Sequence, residues 1–187
     1  MKKKILLFAL IAMCLSIAAY GTLAYFTHED TATNVIVVGN VRIALHDWEM
    51  TVGGEKIPFE GTMDVMPGVS VSKIVEVENV GRNAAWVRIS VTKAFELAAG
   101  RQGDVDVNLI KLDLNQEFWT ELDGYYYYNE ALQPGQTTEP LFTQVSFDSS
   151  MGNLYQQSKA SLTVQAQAVQ VANNGATVLE AAGWPVN

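Results

Sequence analysis

The sequence predicts an all-β protein, an antiparallel β-sandwich of seven to nine strands preceded by an N-terminal signal helix. Three observations predict it. Short runs alternate apolar and polar residues with period two, and Gly, Pro and Asn clusters separate those runs. A lysine-capped apolar leader stands in front of them. The 187 residues suffice for one domain with a sizeable core, and 49% hydrophobic against 17% charged residues is a globular composition. The division expected is 1–24 as signal peptide and 25–187 as a single domain.

The leader comes first. Lys2, Lys3 and Lys4 make a positive n-region, and Ile5 to Ala19 is an apolar h-region. Tyr20, Gly21 and Thr22 break the run. Thr22 and Ala24 then put small residues at the −3 and −1 positions of a cut before Tyr25. The competing reading is a retained membrane anchor, because Ile5 to Phe26 is just long enough to span a bilayer. The one cysteine, Cys14, lies in the h-region behind Met13, which is too large for a lipoprotein site. The mature domain would hold no thiol, and so no disulfide, thiolate ligand or cysteine nucleophile.

Next comes the chain proper. Val35 to Leu45 reads as extended, with Gly39-Asn40 as a bulge or bend. His46 to Phe59 reads as a loop or short hairpin turning at Gly53-Gly54. Met66-Pro67-Gly68 signals a type II turn. Val69 to Glu78 follows as a strand with Val69, Val71, Val75 and Val77 on one face. Asn79-Val80-Gly81 turns the chain into Ala85 to Thr92, where Ala85, Val87, Ile89 and Val91 alternate with Trp86, Arg88, Ser90 and Thr92. These two strands are expected to form a hairpin.

Phe95 to Ala99 fits one helical turn, and Asp104 to Asn115 alternates as a further strand. Asp123-Gly124 turns into the aromatic strand Tyr125 to Tyr128. Gln133-Pro134-Gly135 repeats the Pro-Gly device before the strand Leu141 to Phe147. Met151 to Ser158 is loop-like or weakly helical. Ala160 to Val171 is a long strand with Leu162, Val164, Ala166 and Ala168 on one face and Ser161, Thr163, Gln165 and Gln167 on the other. Ala176 to Ala182 fits a short terminal helix stopped by Gly183 and Pro185.

Charge and motifs exclude several functions. The formal net charge is −8, and without the three leader lysines it is near −11, with nine basic against 20 acidic residues. That argues against nucleic-acid binding and against docking on anionic lipid. With only His28 and His46, no HExxH helix is present. His46 beside Asp47 fits a surface turn pair better than a metal pair. Asp104, Asp106 and Asp113 lack the spacing of an EF-hand loop, so solvated carboxylates are expected there. Tyr125 to Tyr128 fits two rings in the core and two on the surface better than a carbohydrate platform. No GxSxG elbow or phosphate-cradling loop occurs. We therefore expect no catalytic residue, no metal site and no cofactor.

The segments Gly21 to Thr27, Asp30 to Asn34 and Val38 to Val41 together resemble the TasA/camelysin family of Gram-positive exported proteins. Pro67-Gly68 with Val77 to Gly81, and Asp123 to Tyr128 with Leu132 to Gly135, extend the resemblance over most of the chain. It implies a jelly-roll sandwich, a leader cut by a SipW-type signal peptidase, and a secreted product in the extracellular matrix or at the cell surface. It also implies a matrix or fibre subunit, often in biofilm, that self-associates or co-assembles with a related subunit. Membrane contact would run only through an uncut leader. Some members are described as metalloproteases; nothing in these residues supplies the metal site, so proteolysis is not carried over.

The function expected is a structural subunit, major or accessory, that donates its N-terminal strand to a neighbour. Tyr25, Phe26, Val35, Ile36, Val37 and Val38 are the candidate donor residues. The alternative is a monomeric surface binding module or a camelysin-like metalloprotease. A donor should be free or loosely held in the monomer, whereas a binding module should keep the segment as an ordinary first strand.

Overall fold

The computed structural model describes residues 34–37 and 41–185. Eleven strands run through them. They are β1 (Asn34–Val37), β2 (Ile43–Met50), β3 (Lys56–Pro58), β4 (Met63–Asp64), β5 (Ser70–Asn79) and β6 (Ala85–Glu96). β7 (Ile110–Leu112), β8 (Trp119–Leu122), β9 (Tyr125–Tyr128), β10 (Phe142–Phe147) and β11 (Lys159–Gln170) follow. One sheet has the order β1-β11-β6-β9-β8, with β4 also on β11; the other has the order β3-β2-β5-β10-β7. All pairs are antiparallel except β1 with β11, which is parallel. The fold class is all-β as expected. The strand number exceeds the expected seven to nine because β3, β4 and β7 are pieces of two or three residues that alternation cannot register.

The two sheets share one core. Val75, Val77, Phe142 and Val145 from one, and Val87, Ile89, Ala166 and Ala168 from the other, have no exposed surface. Each valine, isoleucine or phenylalanine among them contributes about 1.5–3 kcal/mol by leaving water. Val164 is buried as expected, while Val91 and Leu162 are half-buried at the rim of the same core. β6 and β11 carry the longest ladder, paired without a break from Lys159 opposite Glu96 to Gln170 opposite Ala85.

Three turns match their residues. Gly68 has φ 76° and the Val69 N–H donates to the Met66 carbonyl at 3.1 Å. Gly135 has φ 76° with Gln136 N–H on the Gln133 carbonyl at 3.0 Å. Asp123 (φ 51°) and Gly124 (φ 77°) both take positive φ, as a two-residue hairpin turn of the right twist requires.

The expected hairpin of Val69 to Glu78 with Ala85 to Thr92 does not form. β5 and β6 lie in different sheets, and the connection between them is an arch. Asn79 builds it. Its side-chain amide donates to the carbonyls of Asn83 and Leu132, each at 2.8 Å, and its Oδ1 accepts from Gly81 N–H at 2.9 Å. Gly81 is obligatory there, since an added Cβ would sit 2.8 Å from the Arg42 backbone nitrogen. The predicted run Val35 to Leu45 is likewise two strands in different sheets, β1 and β2.

Other local expectations are corrected. β6 continues through Glu96 instead of turning helical at Phe95, whose ring packs on Tyr155 at 4.8 Å between centroids. Asp104 to Asp106 form no strand. The Asp106 carboxylate accepts from Asn108 N–H at 2.9 Å and starts a 3-10 turn over Val107–Leu109, an instance of a short acidic side chain competing with the ladder. The terminal helix reduces to a 3-10 turn over Val178–Glu180, held by a capping box between Thr177 and Glu180. Another 3-10 turn spans Asn153–Tyr155.

The outer face of β6, β9 and β11 is also covered. Trp86, Tyr127 and Val169 are buried there with Val178. Alternation places Trp86, Arg88 and Gln167 on the face opposite Val87 and Val164, and that face is buried as well: Arg88 is 9% and Gln167 1% exposed. The cover is the segment after β11, which folds back. Asn174 fastens it by donating to the Gln170 and Ala182 carbonyls and accepting from Ala182 N–H. Arg88 lies 3.8 Å from the Tyr125 ring centre and 4.6 Å from that of Trp184, and donates to Gln167 Oε1 at 2.8 Å.

Candidate assembly edge

The leader, Thr22, Ala24, Tyr25, Phe26 and Val38 lie outside the described residues. Of the candidate donor residues, Val35, Ile36 and Val37 are placed, in β1. β1 runs parallel to β11, with Asn34 opposite Gln165, Val35 opposite Ala166, Ile36 opposite Gln167 and Val37 opposite Ala168. The segment is thus a strand on its own chain's sheet, and it forms the one parallel pair among the described strands.

β11 explains why a strand is needed there. Along one side β6 pairs with all twelve residues of β11. The other side carries β4 only at Lys159 and Ala160, and β1 only at Gln165 to Ala168. No described strand pairs with Ser161 to Val164 on that side. Among the described residues half of one side of this twelve-residue strand has no partner strand, and an unpaired stretch of edge offers backbone donors and acceptors to an extended segment. β1 is held by four residues of backbone pairing, and a net hydrogen bond is worth only about 0.5–1.5 kcal/mol. The open edge of β11 was not legible in alternation, because alternation reports which face a side chain takes and not which edge lacks a neighbour.

The remaining candidates separate. His46 and Asp47 are in β2, not in a turn, and consecutive strand residues point to opposite faces. His46 Nε2 meets Glu78 Oε2 at 2.9 Å and its ring stacks on Trp48, while Asp47 pairs with Lys73. The two therefore cannot share one metal ion. Asp113 accepts from the backbone N–H groups of Thr143 and Gln144 at 2.9 and 2.7 Å, bridging β7's end to β10, and Asp106 is taken by Asn108. Among the described residues no three His, Cys, Asp or Glu side chains converge as metal ligands would. Tyr126 and Tyr128 pack on the main core, while Tyr125 and Tyr127 lie under the C-terminal cover beside Trp184.

A cavity of about 690 Å³ lies beside β4, lined by Asp64, Met66, Pro67, Met151, Asn153 and Gln157 among others. No family model, no curated protein and no solved structure matches this chain.

Proposed function

We propose that the chain is an exported structural subunit that assembles by N-terminal strand donation, a fibre or accessory subunit of a Gram-positive biofilm matrix. The observation that carries this reading is the edge of β11, covered by a four-residue parallel strand and with no other described strand on Ser161 to Val164. Exchange needs no new geometry. The same segment from a second copy satisfies the same register on β11 once the resident β1 leaves. The contact so made is heterologous, and a heterologous contact that does not close grows a filament. Strand addition then supplies main-chain hydrogen bonds, and alternate side chains supply specificity.

The resemblance to the TasA/camelysin family supports the same reading and brings the jelly-roll topology with it. Interleaved strand order agrees with that topology: β5 to β6 and β10 to β11 both cross from one sheet to the other. The leader's lysines and the Thr22 to Tyr25 junction support export and cleavage by a SipW-type peptidase. A tethered segment would hold back assembly until that cut.

The cavity beside β4 favours a second reading, a monomeric binding module, in which β1 stays permanently on its own β11. Electron microscopy of the purified mature chain separates the two. Filaments that vanish when residues 25–37 are deleted, leaving a folded monomer, support strand donation. If the full mature chain and the deletion are both monomeric at high concentration across several pH values, self-assembly by this segment is wrong.

A further inference from the structure

Lys73 interrupts the valine face of β5, yet it is 1% exposed, at the end of the sandwich core. Asp47 on the neighbouring strand β2 meets it: the register sets Asp47 opposite Val75, so Lys73 is its diagonal neighbour on the same face. Nζ of Lys73 contacts Oδ2 of Asp47. The Phe59 ring lies over the same nitrogen, 3.7 Å from centroid to Nζ, and walls it off from water. Oδ1 of Asp47 is buried and has no hydrogen-bond partner among the described residues. Glu49, two residues along β2, is the next carboxylate on this face, and its charge bears on Lys73.

As an ion pair this arrangement is poor. A buried salt bridge repays desolvation only when its remaining polar atoms are satisfied, and one carboxylate oxygen here is not. We propose that Lys73 and Asp47 are the partners of an intramolecular isopeptide bond, an amide cross-link between β5 and β2. The step is a condensation. One proton passes from the ammonium to the carboxylate, leaving a neutral amine and a neutral acid. The Nζ lone pair forms a bond to Cγ of Asp47, the Cγ–Oδ2 bond breaks, and that oxygen leaves with two hydrogens as one water. No oxidant, reductant or co-substrate enters.

The surroundings favour each part. Burial pushes the Lys73 ammonium below its ordinary value, against the pull of Asp47, and pushes the Asp47 carboxyl above its ordinary value, against Lys73. Both shifts favour the neutral pair that reacts. Holding amine and acid in contact makes the step unimolecular, and such placement reaches effective molarities on the order of 10⁵–10⁸ M. The Asp47 side chain keeps 29% of its surface exposed, which gives the released water an exit. The amide removes two opposite charges from the core. It also gives a domain without disulfides a covalent tie between strands.

The test is the intact mass of the denatured mature chain, compared with the sequence mass from the N-terminus found by sequencing. A mass lower by one water, with fragmentation joining Lys73 to Asp47, is expected. Lys73→Met and Asp47→Ala should return to the full sequence mass. Lys73→Arg keeps the charge pair, cannot form this amide, and serves as the folded control at full mass. A folded wild-type chain at full sequence mass overturns the proposal, as does a water loss that persists in Lys73→Met. Neither outcome depends on whether the chain forms filaments.

Discussion

The side-chain amide of Asn79 donates to the main-chain carbonyl of Leu132 at 2.8 Å, across 53 residues of sequence. That bond ties the arch between β5 and β6 to the Pro-Gly turn before β10, where Gly135 N–H donates to the Asn79 carbonyl at 2.8 Å. Asn79 has no exposed surface. Asn79→Ala would remove the amide from the Asn83 and Leu132 carbonyls, the latter keeping its Ala85 N–H donor at 3.0 Å, and would take the Oδ1 acceptor from the Gly81 N–H. Each buried polar group left unpaired costs about 1–3 kcal/mol. We expect a clear fall in the urea midpoint with little change in slope. A wild-type midpoint would show that water replaces the amide without loss.

Ile89 sits fully buried in β6, opposite Ala166 of β11. Ile89→Asp places a carboxylate in the apolar core, at a cost of several kcal/mol against a total stability of about 5–15 kcal/mol. The variant should be unfolded by circular dichroism at 25 °C. Melting like the wild type would show that this face is wet.

Arg88 fastens the C-terminal cover. Its guanidinium lies over the rings of Tyr125 and Trp184 and donates to Gln167 and Tyr127. A desolvated cation–π contact is worth about 2 kcal/mol, and Arg88→Ala removes two and leaves Gln167 Oε1 without this donor. Limited proteolysis should then cut within residues 171–185 faster than in the wild type. An unchanged cutting rate would mean that Asn174 and Val178 hold the segment without Arg88.

Ile36 lies in the middle of β1, opposite Gln167. Proline there removes one backbone donor and fits a strand poorly. Because β1 is four residues at a sheet edge, Ile36→Pro should leave the melting temperature of the isolated domain within a few degrees of wild type. Filaments, if they grow by strand donation, should be lost. Filaments of normal length from this variant would place the donor elsewhere.

Local backbone chemistry and the period-two alternation were legible in the residues themselves. Asp123-Gly124, Pro67-Gly68 and Pro134-Gly135 announced turns because Gly and Asp accept positive φ and Pro presets it. Val87, Ile89, Val164 and Ala166 announced a core face because side chains on a strand alternate. The candidate donor was legible only as a β-capable segment, Val35 to Val37.

What the tertiary structure decided is which strands become neighbours. Alternation is the same whether a strand returns beside its predecessor or crosses to the opposite sheet. The split of β5 from β6 therefore depended on where Asn79 found its partners, one of them 53 residues on. Alternation gives the face that Trp86 and Arg88 share but not whether it is wet, and the folding back of residues 171–185 covers it. Lys73 stands within the valine face of β5, and only the register with β2 brings Asp47 against it. In each case the missing information was a long-range pairing. It is set by the summed burial of the whole core, which no local window of sequence contains.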